Sequence, residues 1–119
     1  YIDKKMICTN PDLIVDRGNK RELCAGSVAL VFEKMGGEVI YFGKPFPDVY
    51  NQSINNKGKK VLSIGDNLNT DIKGANLLFY DSLIISNGVH KNEIKKEGID
   101  IVSKKYEAVV DFIQTELKW

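Results

Sequence analysis

Val61-Leu62-Ser63-Ile64 is a short apolar run that passes directly into Gly65-Asp66, and Thr70-Asp71 follows where a helix starts. An apolar run of this length bounded by turn residues predicts a strand covered on both faces, as in a parallel sheet. A strand that feeds a helix through a tight polar loop is one βα unit. Its loop lies at the carboxyl end of the strand, where open α/β sheets collect their ligands.

The rest of the chain repeats this alternation. Residues 6–9 read as the end of a strand, 10–20 as a loop rich in Asn, Pro, Asp and Gly, and 23–35 as a helix stopped by Gly36-Gly37. Ala25, Val28, Ala29, Val31 and Phe32 form the expected inner stripe of that helix. Residues 39–42 are the next strand, and Pro47 suits the first turn of a helix reaching about Asn56, because proline has no amide hydrogen to leave unpaired there. After residues 61–64 the order is a helix over 70–78, a strand over 82–85, a short helix from His90 and a short strand over 99–102. A closing helix would put Val109, Phe112, Ile113 and Leu117 on one face. The whole predicts an α/β fold with a mostly parallel sheet and flanking helices.

Gly65 lets the chain turn after the strand, and Thr70 is a good N-cap, which places Asp71 in the first helical turn with its carboxylate directed back toward Asp66. Two carboxylates meeting at one spot repel, and a hard divalent cation removes that repulsion. Magnesium suits such a place because it takes oxygen ligands, keeps several waters and shares phosphate oxygens. Acidic residues also complement helix starts without any metal. Lys44, held between Gly43 and Pro45 at the start of another helix, is a point charge suited to a phosphate. His90 reads as a surface or capping residue, and Ser86-Asn87-Gly88 as a turn on the same sheet edge as Asp66. No phosphate-binding GxxxxGK[ST] loop, GxGxxG, HExxH or GxSxG is found in the sequence.

The composition excludes several classes. The net charge is +1, and the lysine pairs are scattered without aromatic interleaving, which describes a solvated surface and not a nucleic-acid track. No run approaches the ~18 apolar residues that a membrane span needs, and no basic-then-apolar leader opens the sequence. Cys8 and Cys24 lie in apolar stretches without metal-like spacing, so reduced buried thiols and a cytoplasmic setting are expected.

Gly43-Lys44-Pro45 followed by Gly65-Asp66-Asn67-Leu68-Asn69-Thr70-Asp71 resembles the third and fourth motifs of the haloacid dehalogenase (HAD) superfamily. Thr9-Asn10-Pro11-Asp12 and the helix after Cys24 are similar to the NagD-like subclass IIA phosphatases. The resemblance implies a partial HAD-like Rossmannoid core, residues 43–119, preceded by the end of an α/β cap, residues 1–42. It also implies magnesium-dependent hydrolysis of phosphorylated small molecules through an aspartyl-phosphate. On this reading Lys44 holds phosphate charge, Asp66 binds Mg2+ directly and Asp71 supports the metal site. Gly65, Asn67 and Thr70 shape the loop, while Asp12, Asp16 and Arg17 are weaker substrate candidates from the cap.

The resemblance also implies a DxD nucleophile motif on a strand beside residues 61–64, and the sequence contains no DxD. With Tyr1 standing where an initiator methionine is expected, the chain reads as the later part of such an enzyme, inactive alone. It is expected to pair as a homodimer or with a complementing N-terminal segment. The rival readings are a non-catalytic α/β binding or oligomerisation module and a metal-binding receiver-like domain.

Overall fold

The computed structural model describes residues 1–54 and 58–118. The chain divides into two compact units, Tyr1–Ile54 and Asn55–Trp119. Both are mixed α/β, with parallel strand pairs flanked by helices.

In the first unit β1 (Lys5–Cys8) pairs in parallel with β4 (Glu38–Tyr41), and the crossover between them holds α1 (Ala25–Lys34). The crossover also holds an element that the sequence reading assigned to a loop. β2 (Ile14–Arg17) and β3 (Lys20–Leu23) form an antiparallel hairpin in which Arg17 faces Lys20. Gly18-Asn19 supplies a two-residue turn with Gly18 at φ +59°, the conformation that hairpin turns demand and glycine adopts freely. The turn residues were legible, but the four-residue strands flanking them were masked by charge.

The buried face of α1 is Gly26 and Ala29 with Phe32 half-buried, whereas Ala25, Val28 and Val31 of the expected stripe are exposed. Small residues form the contact because the helix start lies directly on the loop after β1. The amide of Gly26 donates to the Asp12 carbonyl (3.2 Å), and a Cβ at Gly26 would collide with the Pro11 and Asp12 carbonyl oxygens. α2 (Pro47–Ser53) begins at proline as expected, and its expected end near Asn56 lies outside the described residues.

In the second unit β5 (Leu62–Gly65), β6 (Asp81–Ile85) and β7 (Phe112–Gln114) form a parallel sheet in that order. Among the described residues β5 therefore pairs with β6 alone, and Leu62 and Ile64 are exposed on a strand that the sequence reading expected to be covered on both faces. After β5 comes a π-helical turn, Leu68–Ile72, continued by α3 (Lys73–Leu77). Two helices follow β6, α4 (Lys91–Glu97) and α5 (Ile99–Lys105), separated by Gly98 at φ +83°. Leu68, Ile72, Ile84, Val102 and Ala108 make the core, with Ile94, Ile99, Tyr106 and Val110 packed against it.

Two expected elements are exchanged. Residues 99–102 are helical, because Ile99, Val102 and Tyr106 share a helical face that the core covers, while Ile101 points to solvent at 58% exposure. Residues 112–114 are a strand, because the open edge of β6 takes them as a parallel partner. Val109, Phe112, Ile113 and Leu117 are all exposed, so their helical spacing is not the face of a closing helix. Among the described residues, no helix is long and apolar enough to cross a membrane.

Candidate functional site

Where β5 ends, the chain must turn without leaving buried amides unpaired, and Asp71 meets that need. Its Oδ2 accepts from the amides of Asp66 (3.2 Å) and Asn67 (3.1 Å). Asp71 is 5% exposed, so these bonds replace solvation that the loop has lost. A Cβ at Gly65 would collide with the Asp71 side chain, which accounts for glycine at this position.

The N-cap is Asn67, not Thr70. The Asn67 side chain accepts from the Asn69 amide (3.0 Å), and its carbonyl accepts from both Asp71 and Ile72 amides (3.0 and 3.3 Å). The second of these bonds spans five residues and widens the turn to π geometry, an insertion common at functional sites. Thr70 is consequently buried inside the turn. Asparagine ranks above threonine as an N-cap, and the sequence reading favoured the wrong one of the two.

Asp66 is fixed from the next loop. Its Oδ2 accepts from the Val89 amide (3.0 Å), and Gly88 approaches so closely that a Cβ there would collide with the carboxylate. The expected turn at Ser86-Asn87-Gly88 thus lies against Asp66. A cleft of about 410 Å3 opens beside it, with Ile64, Gly65, Asp66, Ile85, Gly88 and Leu117 in its lining. Asp71 faces the Asp66 backbone, so the two carboxylates divide their work: one secures the loop and the other is presented by it.

A family model for HAD-hydrolase-like proteins matches residues 41–113, more than half of the chain. The chain belongs to the HAD-hydrolase-like family. Solved structures agree with this. A haloacid dehalogenase-like hydrolase from Brucella suis 1330 is 37% identical with a TM-score of 0.67, over 72% of this chain and 35% of that one. A p-nitrophenyl phosphatase from Archaeoglobus fulgidus superposes with a TM-score of 0.71 at 20% identity, over 92% of this chain and 42% of that one. A glycerol phosphate phosphatase from Mycobacterium tuberculosis, crystallised with magnesium, gives 0.66 at 21% identity, over 92% and 33%. This HAD-like chain therefore spans well under half the length of the structures it matches. No curated protein matches it.

In the first unit of this HAD-like chain, Lys44 is exposed between β4 and α2. Gly43 before it has φ +96°, and a Cβ there would press on Pro11 and the Thr9 carbonyl at 3.1 Å. The lysine loop thus rests on the Thr9-Asn10-Pro11 loop, so the fold brings these two motifs together. Tyr41 and Phe46 stack at 5.7 Å on either side of the lysine loop in sequence. Asp12 is half-buried, and its amide donates to Asn10 Oδ1 (3.1 Å). Asp16 and Arg17 are engaged in the hairpin: Arg21 donates two 2.8 Å bonds to Asp16, and Arg17 pairs with Glu22 at 3.4 Å. The Arg21 hydrogen bonds hold the Asp16 carboxyl below its usual range. Cys8 is buried and Cys24 half-buried, and both are free thiols.

The sequence reading had Gly88 only as part of a turn and His90 as a surface or capping residue, and it did not single out Val89 or Glu93. Gly88 and Val89 act through a backbone approach and an amide, which composition does not reveal. His90 and Glu93 belong to a network that only the meeting of α4 and α5 creates. His90 is 5% exposed and not on the surface; its ring meets Tyr106 edge-on at 4.5 Å, and its Nδ1 lies 3.3 Å from Glu93 Oε2. Tyr106 donates to the same carboxylate oxygen (3.0 Å), and Lys105 Nζ lies 3.4 Å from Oε1. Burial pushes the Glu93 carboxyl upward, but the bonds from Tyr106, His90 and Lys105 outweigh it and leave the group below its usual value.

A carboxyl depressed in the folded state contributes stability that is present above its unfolded pKa and is lost as the pH falls through the folded one. Thermal unfolding followed against pH should therefore show the native chain losing stability below the ordinary carboxylate range. Glu93→Gln should lose less over that interval. Parallel profiles for the two chains would contradict the assignment.

Proposed function

We propose that this chain carries the later part of a NagD-like HAD phosphatase, in which a complete enzyme hydrolyses phosphorylated small molecules with Mg2+. The observation that carries this reading is the Asp66 carboxylate at the carboxyl end of β5, with one oxygen bonded to the Val89 amide. That arrangement fits a hard cation that takes few protein ligands and several waters. Among the described residues no group of three or more His, Cys, Asp or Glu side chains could hold a metal. Asp66 would thus supply one ligand oxygen of a set completed by other groups. Asp71 would act through the loop, keeping the Asp66 backbone in place.

Magnesium, when bound, would neutralise phosphate charge and orient the ester. Lys44 would balance the remaining negative charge as a fixed ammonium. The loop residues Gly65, Asn67 and Thr70 would hold the turn that presents Asp66. Residues 1–42 would be the end of the cap and 43–119 the core, in a reducing cytoplasm suited to the free thiols.

Titration of the chain with Mg2+, followed by amide NMR, should move the resonances of residues 65–71. Asp66→Asn keeps an acceptor for the Val89 amide but loses the charge, and should weaken binding at least about tenfold. An equal response in the Asp66→Asn chain would overturn the metal assignment.

A further inference from the structure

The Val89 amide holds the Asp66 carboxylate, and bonds on both sides of Val89 decide where that amide stands. Before it, the Asn87 amide donates to the Thr115 carbonyl (3.2 Å), which ties the loop to the segment after β7. After it, the Lys91 amide donates to the Gly88 carbonyl (3.0 Å), and His90 stands at the N-cap of α4. The His90 side chain makes no capping bond to the helix backbone, so the ring does not serve the usual purpose of a cap. It is buried instead, edge-on to Tyr106 and beside Glu93.

The two ring nitrogens are in different surroundings. Nδ1 lies 3.3 Å from Glu93 Oε2, the oxygen that also accepts from the Tyr106 hydroxyl. The bonds that hold the Glu93 carboxyl below its usual value keep it ionised. An ionised carboxylate has no hydrogen to give, so Nδ1 carries the hydrogen and donates it. Nε2 is buried and has no hydrogen-bond partner among the described residues. A hydrogen there would be enclosed without an acceptor, which is a costly placement. Both nitrogens thus favour the tautomer with its hydrogen on Nδ1.

We infer that His90 is a positioning residue for the candidate site: its Nδ1–H bond to Glu93 fixes the start of α4 and so holds the Val89 amide on Asp66. The inference deepens the proposed metal reading and rests on it only where Mg2+ is concerned. The path from ring to carboxylate is short. Val89 directly precedes His90, and Gly88 lies so close to the Asp66 carboxylate that a Cβ would collide with it. With the ring released from Glu93, the loop stays tied at Asn87 but not at the start of α4, and Asp66 loses the donor that orients its Oδ2.

The test separates the bulk of the ring from its donor. His90→Phe keeps an aromatic ring beside Tyr106 and has no donor for Glu93. His90→Asn gives up the ring but sets an amide nitrogen close to the place of Nδ1. In the full chain, hydrogen exchange at the Val89 amide should quicken at least about tenfold in His90→Phe and return toward the native rate in His90→Asn, with the Ile84 amide of β6 equally protected in all three. Nitrogen NMR of the native ring should show Nδ1 protonated and Nε2 bare. Mg2+ should bind His90→Phe about tenfold more weakly than it binds the native chain or His90→Asn. If the native chain takes up no Mg2+ at Asp66, the metal reading fails, and exchange at Val89 still decides the role of His90. Should His90→Phe also lose protection at Ile84, Glu93→Ala carries the test from the acceptor side, with the same quickening at Val89 expected. A ring protonated on Nε2 alone, a Val89 amide equally protected in His90→Phe, or equal quickening by the Phe and Asn substitutions would overturn the inference. So would unchanged Mg2+ binding in a variant whose Val89 amide has loosened.

Discussion

Purified on its own, the chain should hydrolyse no phosphomonoester, even with p-nitrophenyl phosphate and saturating Mg2+. The HAD chemistry proposed here needs an attacking carboxylate, and the sequence has no DxD to supply it. Lys44 and Asp66 would position charge, and positioned charge without a nucleophile forms no aspartyl-phosphate. Addition of a separately produced segment with a DxD strand should bring turnover. Lys44→Ala should then lower that turnover about 100-fold or more, because a fixed cation matters most where transition-state charge develops. Robust hydrolysis by the 119 residues alone, abolished by Lys44→Ala, would mean that the chemistry differs from the one proposed.

Asp71→Ala should destabilise the second unit by about 2–4 kcal/mol, since it leaves amides at the β5 turn without their acceptor. The two amides concerned belong to Asp66 and Asn67, and Asn67 is itself buried. Asp71→Asn retains an oxygen in the same place and should cost about 1 kcal/mol. Urea unfolding of the three chains measures the difference. Equal stability of the Ala and Asn variants would show that the carboxylate does not hold the turn.

The same loop shows what the sequence discloses and what it conceals. The apolar run ending in Gly65-Asp66 was legible because strand, glycine and acid each have a local cause. Lys44 after a strand and before Pro47 was legible for the same reason. Asp71 was placed in the first turn after the strand, yet its partners are backbone amides and not the Asp66 carboxylate, and backbone amides have no sequence signature. Residues 99–102 and 112–114 carry apolar residues at spacings that suit either state. Their states were decided by distant partners, the core over Val102 and the open edge of β6. Short apolar segments of that kind are ambiguous by periodicity alone.

His90 illustrates a second limit. A lone histidine at the start of a polar helix reads as a surface or capping residue; His90 does stand at the N-cap of α4, and its burial follows from Tyr106, sixteen positions later, closing over the ring. The hairpin of β2 and β3 illustrates a third. Its residues Asp16 and Arg17 looked like loop polarity, and they form cross-strand ion pairs with Arg21 and Glu22.

Replacement of Mg2+ by paramagnetic Mn2+ tests the central claim most directly, because line broadening falls steeply with distance from the bound ion. The account predicts the strongest broadening at Asp66, Gly88 and Val89, with Glu107 and Asp111, which lie before β7 at the opposite end of the sheet, less affected, and its loss in Asp66→Asn. Broadening centred on another acidic group, or unchanged in Asp66→Asn, would contradict the placement of the metal at the end of β5.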